Sequence, residues 1–163
     1  MPSPMLLLIE DSVEDVDLIL SSLERILARE QVLVMPSGEA ALDYLLGTDE
    51  RPASGTSASL RAVLLDLNLP EMSGLEVLRR IRSEPGLGLL PIIAISSSVD
   101  QQDVRAAVQA GANSYVRKSL DHARLAEAMR TLVGYWLELN VGPPSLNSSQ
   151  ATALRLPWPY SAV

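Results

Sequence analysis

Apolar and polar positions switch between two periods along most of the chain. The run from Met5 to Ile9 reads as a strand, and Val16, Leu20, Leu23 and Leu27 then recur at helical spacing with charges between them. Ser12 stands where an N-cap belongs, with Glu14 and Asp15 in the first turn, where carboxylates suit the helix dipole. Val32 to Met35 predicts a second strand, ended by Pro36-Ser37-Gly38, and Glu39 to Leu46 a short helix closed by Gly47. Thr48 to Ser59 is small, polar and Pro/Gly-containing, so it reads as a loop. Ala62 to Leu65, a continuous apolar run bounded by Asp66, predicts a buried strand.

The same alternation continues to Leu139. Pro70 and Gly74 mark a loop, after which Leu75, Leu78 and Ile81 predict a helix ended by Pro85-Gly86. Pro91 opens a strand over Ile92 to Ile95, and Val104, Ala107 and Val108 lie on a helix capped by Gly111. Ser114 to Val116 is a last short strand, and Leu120 to Leu139 a long helix with its stripe at Leu125, Met129, Leu132 and Trp136. Strands apolar on both faces and alternating with helices predict an α/β protein with a parallel sheet covered on both sides. Right-handed crossovers make it doubly wound, and such sheets bind ligands beyond the carboxyl ends of their strands.

Composition narrows the chemistry. The 163 residues are 47% hydrophobic, with a mean hydropathy of +0.17 and a formal charge of −7. No apolar run approaches the roughly 20 residues that span a bilayer, and no basic segment precedes the first strand, so a cytoplasmic domain without membrane association is expected. The absence of cysteine and the single histidine, His122, exclude thiolate nucleophiles, disulfides and paired-His or Cys metal sites. Any metal must be hard and oxygen-bound. The acidic balance argues against DNA, and Lys118 is the only lysine.

The residues at the strand ends form one chemical set: Glu10-Asp11 after the first strand, Asp66 after the third, Ser96 after the fourth, Lys118 after the fifth. Three converging carboxylates repel one another unless a cation joins them, and oxygen ligands alone suit Mg²⁺. A lysine and a serine hydroxyl nearby favour an added anion, and a carboxylate can itself accept a phosphoryl group. Taken singly, each residue has a plainer reading. Glu10 and Asp11 suit a helix start, Asp66 an Asx turn, Ser96 a polar run with Ser97 and Ser98, Tyr115 strand packing, and His122 a helix N-terminus.

Four blocks in order carry a resemblance: Leu7-Leu8-Ile9-Glu10-Asp11, Leu64-Leu65-Asp66-Leu67-Asn68-Leu69-Pro70 with Gly74, Pro91 to Ser96, and Ala110 to Lys118. Over Met5 to Leu139 the chain resembles the receiver domain of two-component response regulators, the kind typified by the chemotaxis regulator. Within that family it looks most like phytochrome-associated single-domain regulators. The resemblance implies a flavodoxin-like sheet of order 2-1-3-4-5 and a phosphoprotein that accepts a phosphoryl group on Asp66 from a sensor histidine kinase, such as a phytochrome kinase. It implies Mg²⁺, replaceable by Mn²⁺ or Ca²⁺, bound by Asp11, Asp66 and the backbone carbonyl of Asn68, with Glu10 acting through water. Ser96 and Lys118 would bind phosphoryl oxygens, Tyr115 would be the aromatic switch, and Asn68 and Ser98 would tune the lifetime of the acyl phosphate. One departure stands out: the family places a cis-linked proline after the lysine, and this chain has Ser119. A cis bond there would cost about 3–4 kcal/mol, against about 0.5–1 before proline, which leaves the isomer of the Lys118–Ser119 bond open.

Residues 1–139 are thus read as the receiver and 140–163 as an extension with four prolines and Arg155 as its only charge, too short and neutral for a DNA-binding module. Val133 and Leu137, beside Leu132 and Trp136, suggest a second apolar face and a homodimer, with Trp158 and Tyr160 in the extension as a candidate arm on the partner. Two rival functions follow from the same residues. A magnesium-dependent aspartyl-phosphate phosphatase would carry an Asp-x-Asp pair after its first strand, where this chain has Glu10-Asp11. A phosphorylation-independent interaction module would keep the fold alone, a reading that Ser119 supports.

Overall fold

The computed structural model describes residues 5–48, the backbone of 51–52, and 59–142. Five parallel strands, β1 (Leu6–Ile9), β2 (Val32–Met35), β3 (Ala62–Asp66), β4 (Ile92–Ser96) and β5 (Ser114–Arg117), form one sheet in the order β2-β1-β3-β4-β5. Helices α1 (Val13–Leu23), α2 (Gly38–Leu46), α3 (Gly74–Ser83), α4 (Gln101–Gln109) and α5 (His122–Gly134) connect and follow them. The doubly wound parallel sheet expected from the alternating periods is therefore present, with its switch in strand order between β1 and β3.

Alternation along each strand divides the core. Leu6, Leu8, Leu64, Ile93 and Ile95 face α1 and α5, meeting Ile19, Leu23, Leu125 and Met129. Leu7, Ile9, Val63, Leu65 and Ile92 face α2 and α3, meeting Ala41, Leu42, Leu45, Val77, Leu78 and Ile81. Helix α4 is different: Ala107 is its one buried residue.

The helices begin where capping chemistry dictates. The hydroxyls of Ser12, Ser37 and Ser73 accept from the backbone N–H groups of Asp15, Ala40 and Glu76, and Asp100 and Asp121 cap α4 and α5 in the same way. Gly47 (φ +80) and Gly111 (φ +103) end their helices at positive φ, which glycine accepts without a Cβ penalty. Arg82 ties the far end of the molecule together. Its Nε donates to Gly111 O (2.9 Å), Nη1 to the carbonyls of Leu87 and Leu90, and Nη2 to Asn113 Oδ1 (2.8 Å), which also accepts from Ile92 N.

Three expectations are corrected. Where Thr48 to Ser59 was expected to be loop throughout, Gly47–Thr48 pairs antiparallel with Arg51–Pro52. The last helix starts at His122 rather than Leu120, and its α-helical part ends at Gly134, with a wider turn over Tyr135–Leu139 in which Asn140 N donates to Tyr135 O at 2.7 Å. The assignment of Val133 and Leu137 to a second, partner-facing surface is also overturned. They are 1% and 4% exposed and belong to the core with α1. Leu125, Met129, Val133 and Leu137 are spaced by four, slightly more than the 3.6 residues of an α-turn, and the wider turn returns Leu137 to the buried side. Trp136 is half-buried at the edge of this core, its ring edge-on to Tyr135 at 5.2 Å. Trp158 and Tyr160 lie outside the described residues.

Candidate functional site

The carboxyl ends of β1, β3, β4 and β5 bring one set of polar side chains into the crevice at the switch point. Glu10 follows β1 and Asp66 ends β3, and both are almost fully buried, at 2% and 3% exposure. Exposed Asp11 contributes a third carboxylate, and one oxygen from each of the three lies within 4.8 Å of the others. The β3–α3 loop folds tightly over this point. It turns through Glu71 at φ +63, and Gly74 N returns to donate to Leu67 O at 3.2 Å. A Cβ on Gly74 would lie 2.3 Å from Asp66 O and 2.6 Å from Leu67 Cα, so only glycine permits this approach of α3 to the end of β3.

Lys118 enters from the β5 side. Lys118 N donates to Ser96 O at 2.7 Å, extending the sheet by one residue. Its ammonium contacts Glu10 Oε2 (2.8 Å), Asp66 Oδ2 (2.8 Å) and Asp15 Oδ2 (2.6 Å). No described peptide bond is cis, so the Lys118–Ser119 bond is trans, and the side chain nonetheless reaches the crevice. The remaining oxygens of the two buried carboxylates are held by backbone: Ser12 N donates to Glu10 Oε1 (3.0 Å) and Asn68 N to Asp66 Oδ1 (2.8 Å).

These contacts set the charge states. Burial is the main influence on Glu10 and raises its pKa to about 7; the hydrogen bonds from Lys118 and Ser12 pull against it, and the charge of Asp66 adds to the rise. For Lys118, burial favours the neutral amine, but its bonds to Asp15, Asp66 and Glu10 outweigh this and hold it above the ordinary lysine range. The crevice gathers one ammonium and the carboxyl groups of Glu10, Asp11, Asp15 and Asp66, so it has room for further positive charge. Oxygen donors without sulfur or imidazole fit a hard divalent cation.

Ser96, 2% exposed at the end of β4, accepts from Ser98 N (3.2 Å) and from Asn68 Nδ2 (3.5 Å), leaving its own proton to donate. Asn68 also donates to Ser97 Oγ (3.3 Å). Ser98 spreads these contacts outward: its carbonyl accepts from the Tyr115 hydroxyl at 2.9 Å, and its hydroxyl donates to Asp103 on α4 at 2.6 Å. The crevice thus brings together Glu10, Asp11, Asp66, Asn68, Ser96 and Lys118, with Ser98 and Tyr115 alongside. His122 is exposed at the start of α5.

Asp15 is the residue that sequence reasoning missed. Its place in the first turn of α1 was fully accounted for by the helix dipole. The available signal was geometric: a helix that starts immediately after a strand end directs its first turn back over the crevice.

A doubly wound sheet whose acidic crevice also holds a lysine and a buried serine defines a flavodoxin-like protein of the receiver class. Residues 7–130 match the response regulator receiver domain, and the chain belongs to that family. The probable methanogenesis regulatory protein FilR2 of Methanothrix harundinacea is 35% identical over 140 residues, covering 85% of this chain and 87% of that one. The response regulator Rcp1 of Synechocystis is 31% identical over 137 residues, 84% of this chain and 91% of its own. The crystal structure of Rcp1 in its Mn²⁺-bound form superposes with a TM-score of 0.74 at 29% identity, covering 86% of this chain and 99% of that one. The phosphorylated cyanobacterial phytochrome response regulator RcpA does so with a TM-score of 0.76 at 29% identity, covering 87% and 99%. This chain is therefore a signalling receiver related to phytochrome response regulators, and its acidic cluster fits a divalent cation. No helix among the described residues is long and apolar enough to cross a membrane.

Proposed function

We propose that the protein accepts a phosphoryl group on Asp66 from a sensor histidine kinase and passes the signal on through protein contacts. The observation that carries this reading is the Lys118 ammonium seated against both Asp66 and Glu10 at the carboxyl edge of the sheet. In the reaction an Asp66 carboxylate oxygen forms a bond to phosphorus as the bond from phosphorus to the donor's imidazole nitrogen breaks. Lys118 opposes the charge that accumulates on the phosphoryl oxygens, and the Ser96 hydroxyl donates to one of them. Asp11, Asp66 and the Asn68 carbonyl would hold Mg²⁺, with Glu10 acting through water. The ion supplies charge neutralisation at the transferring group. The Mn²⁺-bound relative supports such a site.

The output follows from the contacts of Ser98. Drawing Ser96 toward a phosphoryl oxygen pulls on Ser98 N, and through Ser98 on both Tyr115 and α4. Helix α4, with a single buried residue, is the element such a pull displaces most readily. Asn68 and Ser98 flank the acyl phosphate and would set how water reaches it. The kinship with RcpA and Rcp1 makes a phytochrome kinase the favoured donor. A homodimer is part of the reading, resting on Trp136, Tyr135 and Leu139 at the end of α5 rather than on Val133 and Leu137.

Mass spectrometry after exposure to acetyl phosphate tests the central claim. The expected result is stoichiometric addition of one phosphoryl group, dependent on Mg²⁺ and abolished in Asp66→Asn. No addition with Mg²⁺ present, or catalytic turnover of a small phosphate ester instead, would overturn it.

A further inference from the structure

We propose that Asp15 is a positioning residue that fixes Lys118 over Asp66, and that when a phosphoryl group arrives Lys118 exchanges only its Asp66 contact. The proposal rests on Asp66 being the phosphoacceptor. A lysine ammonium has three N–H donors, and here Glu10, Asp66 and Asp15 take all three. Conversion of the Asp66 carboxylate to an acyl phosphate removes the charge of one acceptor, and the donor so released is the one available to a phosphoryl oxygen. Glu10 and Asp15 are left to hold the ammonium in place.

Of these two, Asp15 is the stronger anchor. The Asp15 contact, at 2.6 Å, is the shortest of the three, against 2.8 Å to Glu10 and to Asp66. Its backbone is fixed as well: Asp15 N is bonded to the Ser12 hydroxyl, and α1 is pinned to the sheet by Ile19 and Leu23. Lys118, by contrast, hangs on a long flexible side chain beyond the last residue of β5, in a segment that continues through a trans bond to Ser119. A carboxylate brought in by α1 supplies from the side the constraint that this segment does not build into its own backbone.

The single lysine makes the idea directly measurable, because protein grown with nitrogen-15 lysine gives one side-chain ammonium signal. Wild type should show that signal protected from exchange with water. Asp15→Asn should lose most of the protection and take phosphate from acetyl phosphate with Mg²⁺ about fivefold more slowly, the scale of one partly exposed ion pair. Asp15→Glu should recover most of both. Glu14→Gln removes a neighbouring exposed charge from the same helix turn, reproduces the loss to the helix dipole, and should match wild type in both readouts. An unchanged ammonium signal in Asp15→Asn, or equal slowing in Glu14→Gln, overturns the proposal. A wild-type protein that takes up no phosphoryl group defeats the reading of Asp66 instead, and the two failures are separable because the lysine signal is recorded before any donor is added.

Discussion

Replacing Glu10 by glutamine tests the electrostatics of the crevice through stability alone. In the folded protein the Glu10 carboxyl has a pKa of about 7, against 4.5 for a free glutamate. The folded state therefore holds its proton more tightly than the unfolded chain does, and stability falls as pH rises through the interval between those values. Below it both states are protonated and nothing is lost; above it both are ionised and the full cost is present. At about 1.36 kcal/mol per unit, the shift corresponds to about 3 kcal/mol, most of which develops between roughly pH 4.5 and 7. Lys118 stays charged across this window and adds no slope of its own. Urea unfolding in a chelator, followed by far-ultraviolet circular dichroism at both ends of the window, should show wild type losing about 2–3 kcal/mol more than Glu10→Gln. Adding Mg²⁺ at the upper end should restore much of the difference, since a cation favours the ionised form. Parallel pH profiles for the two proteins would refute the assignment of a strained, buried carboxylate.

Three further outcomes follow from other parts of the molecule. Gly74→Ala should cost about 2 kcal/mol or more, because its Cβ meets backbone that cannot move aside without displacing Asp66, and it should slow labelling by acetyl phosphate as well as lower the urea midpoint. Arg82→Met should cost about 2–3 kcal/mol in thermal unfolding by leaving the carbonyls of Gly111, Leu87 and Leu90 short of a donor, with labelling of Asp66 unchanged. Mg²⁺ or Mn²⁺ should raise the midpoint of thermal unfolding in wild type, and Asp11→Asn should remove most of that rise; an equal rise in the variant would place the metal elsewhere.

The strands were legible because both faces are buried, so each appears as an unbroken apolar run whose end marks the crevice. Ser12 was legible as a cap because capping is local chemistry. What escaped reading depends on distance in sequence or on small changes of period. Asp15 and Lys118 meet in the crevice from opposite ends of the domain's sequence, and the helix dipole already explained Asp15. Arg82 looks like one of several basic residues on α3, yet its acceptors include Gly111 and Asn113, far along the chain. Val133 lies four residues after Met129 on the buried face of the α-helix itself, and one wider turn carries Leu137 inward after it. Gly74 was read as punctuation, while its reason is the absence of room for a Cβ beside Asp66.

Helix α4 lends this architecture a freedom that the rest of the molecule lacks. With Ala107 as its one buried side chain, the helix is held to the rest of the fold by little packing, and residues such as Val108 and Arg105 face solvent, whereas Asp103 is tied to Ser98. Substitutions at Val108 or Arg105 would alter what a binding protein meets without touching the side chains of the crevice. Inheritance can thus rewrite the recipient of the message while leaving the apparatus that receives it intact.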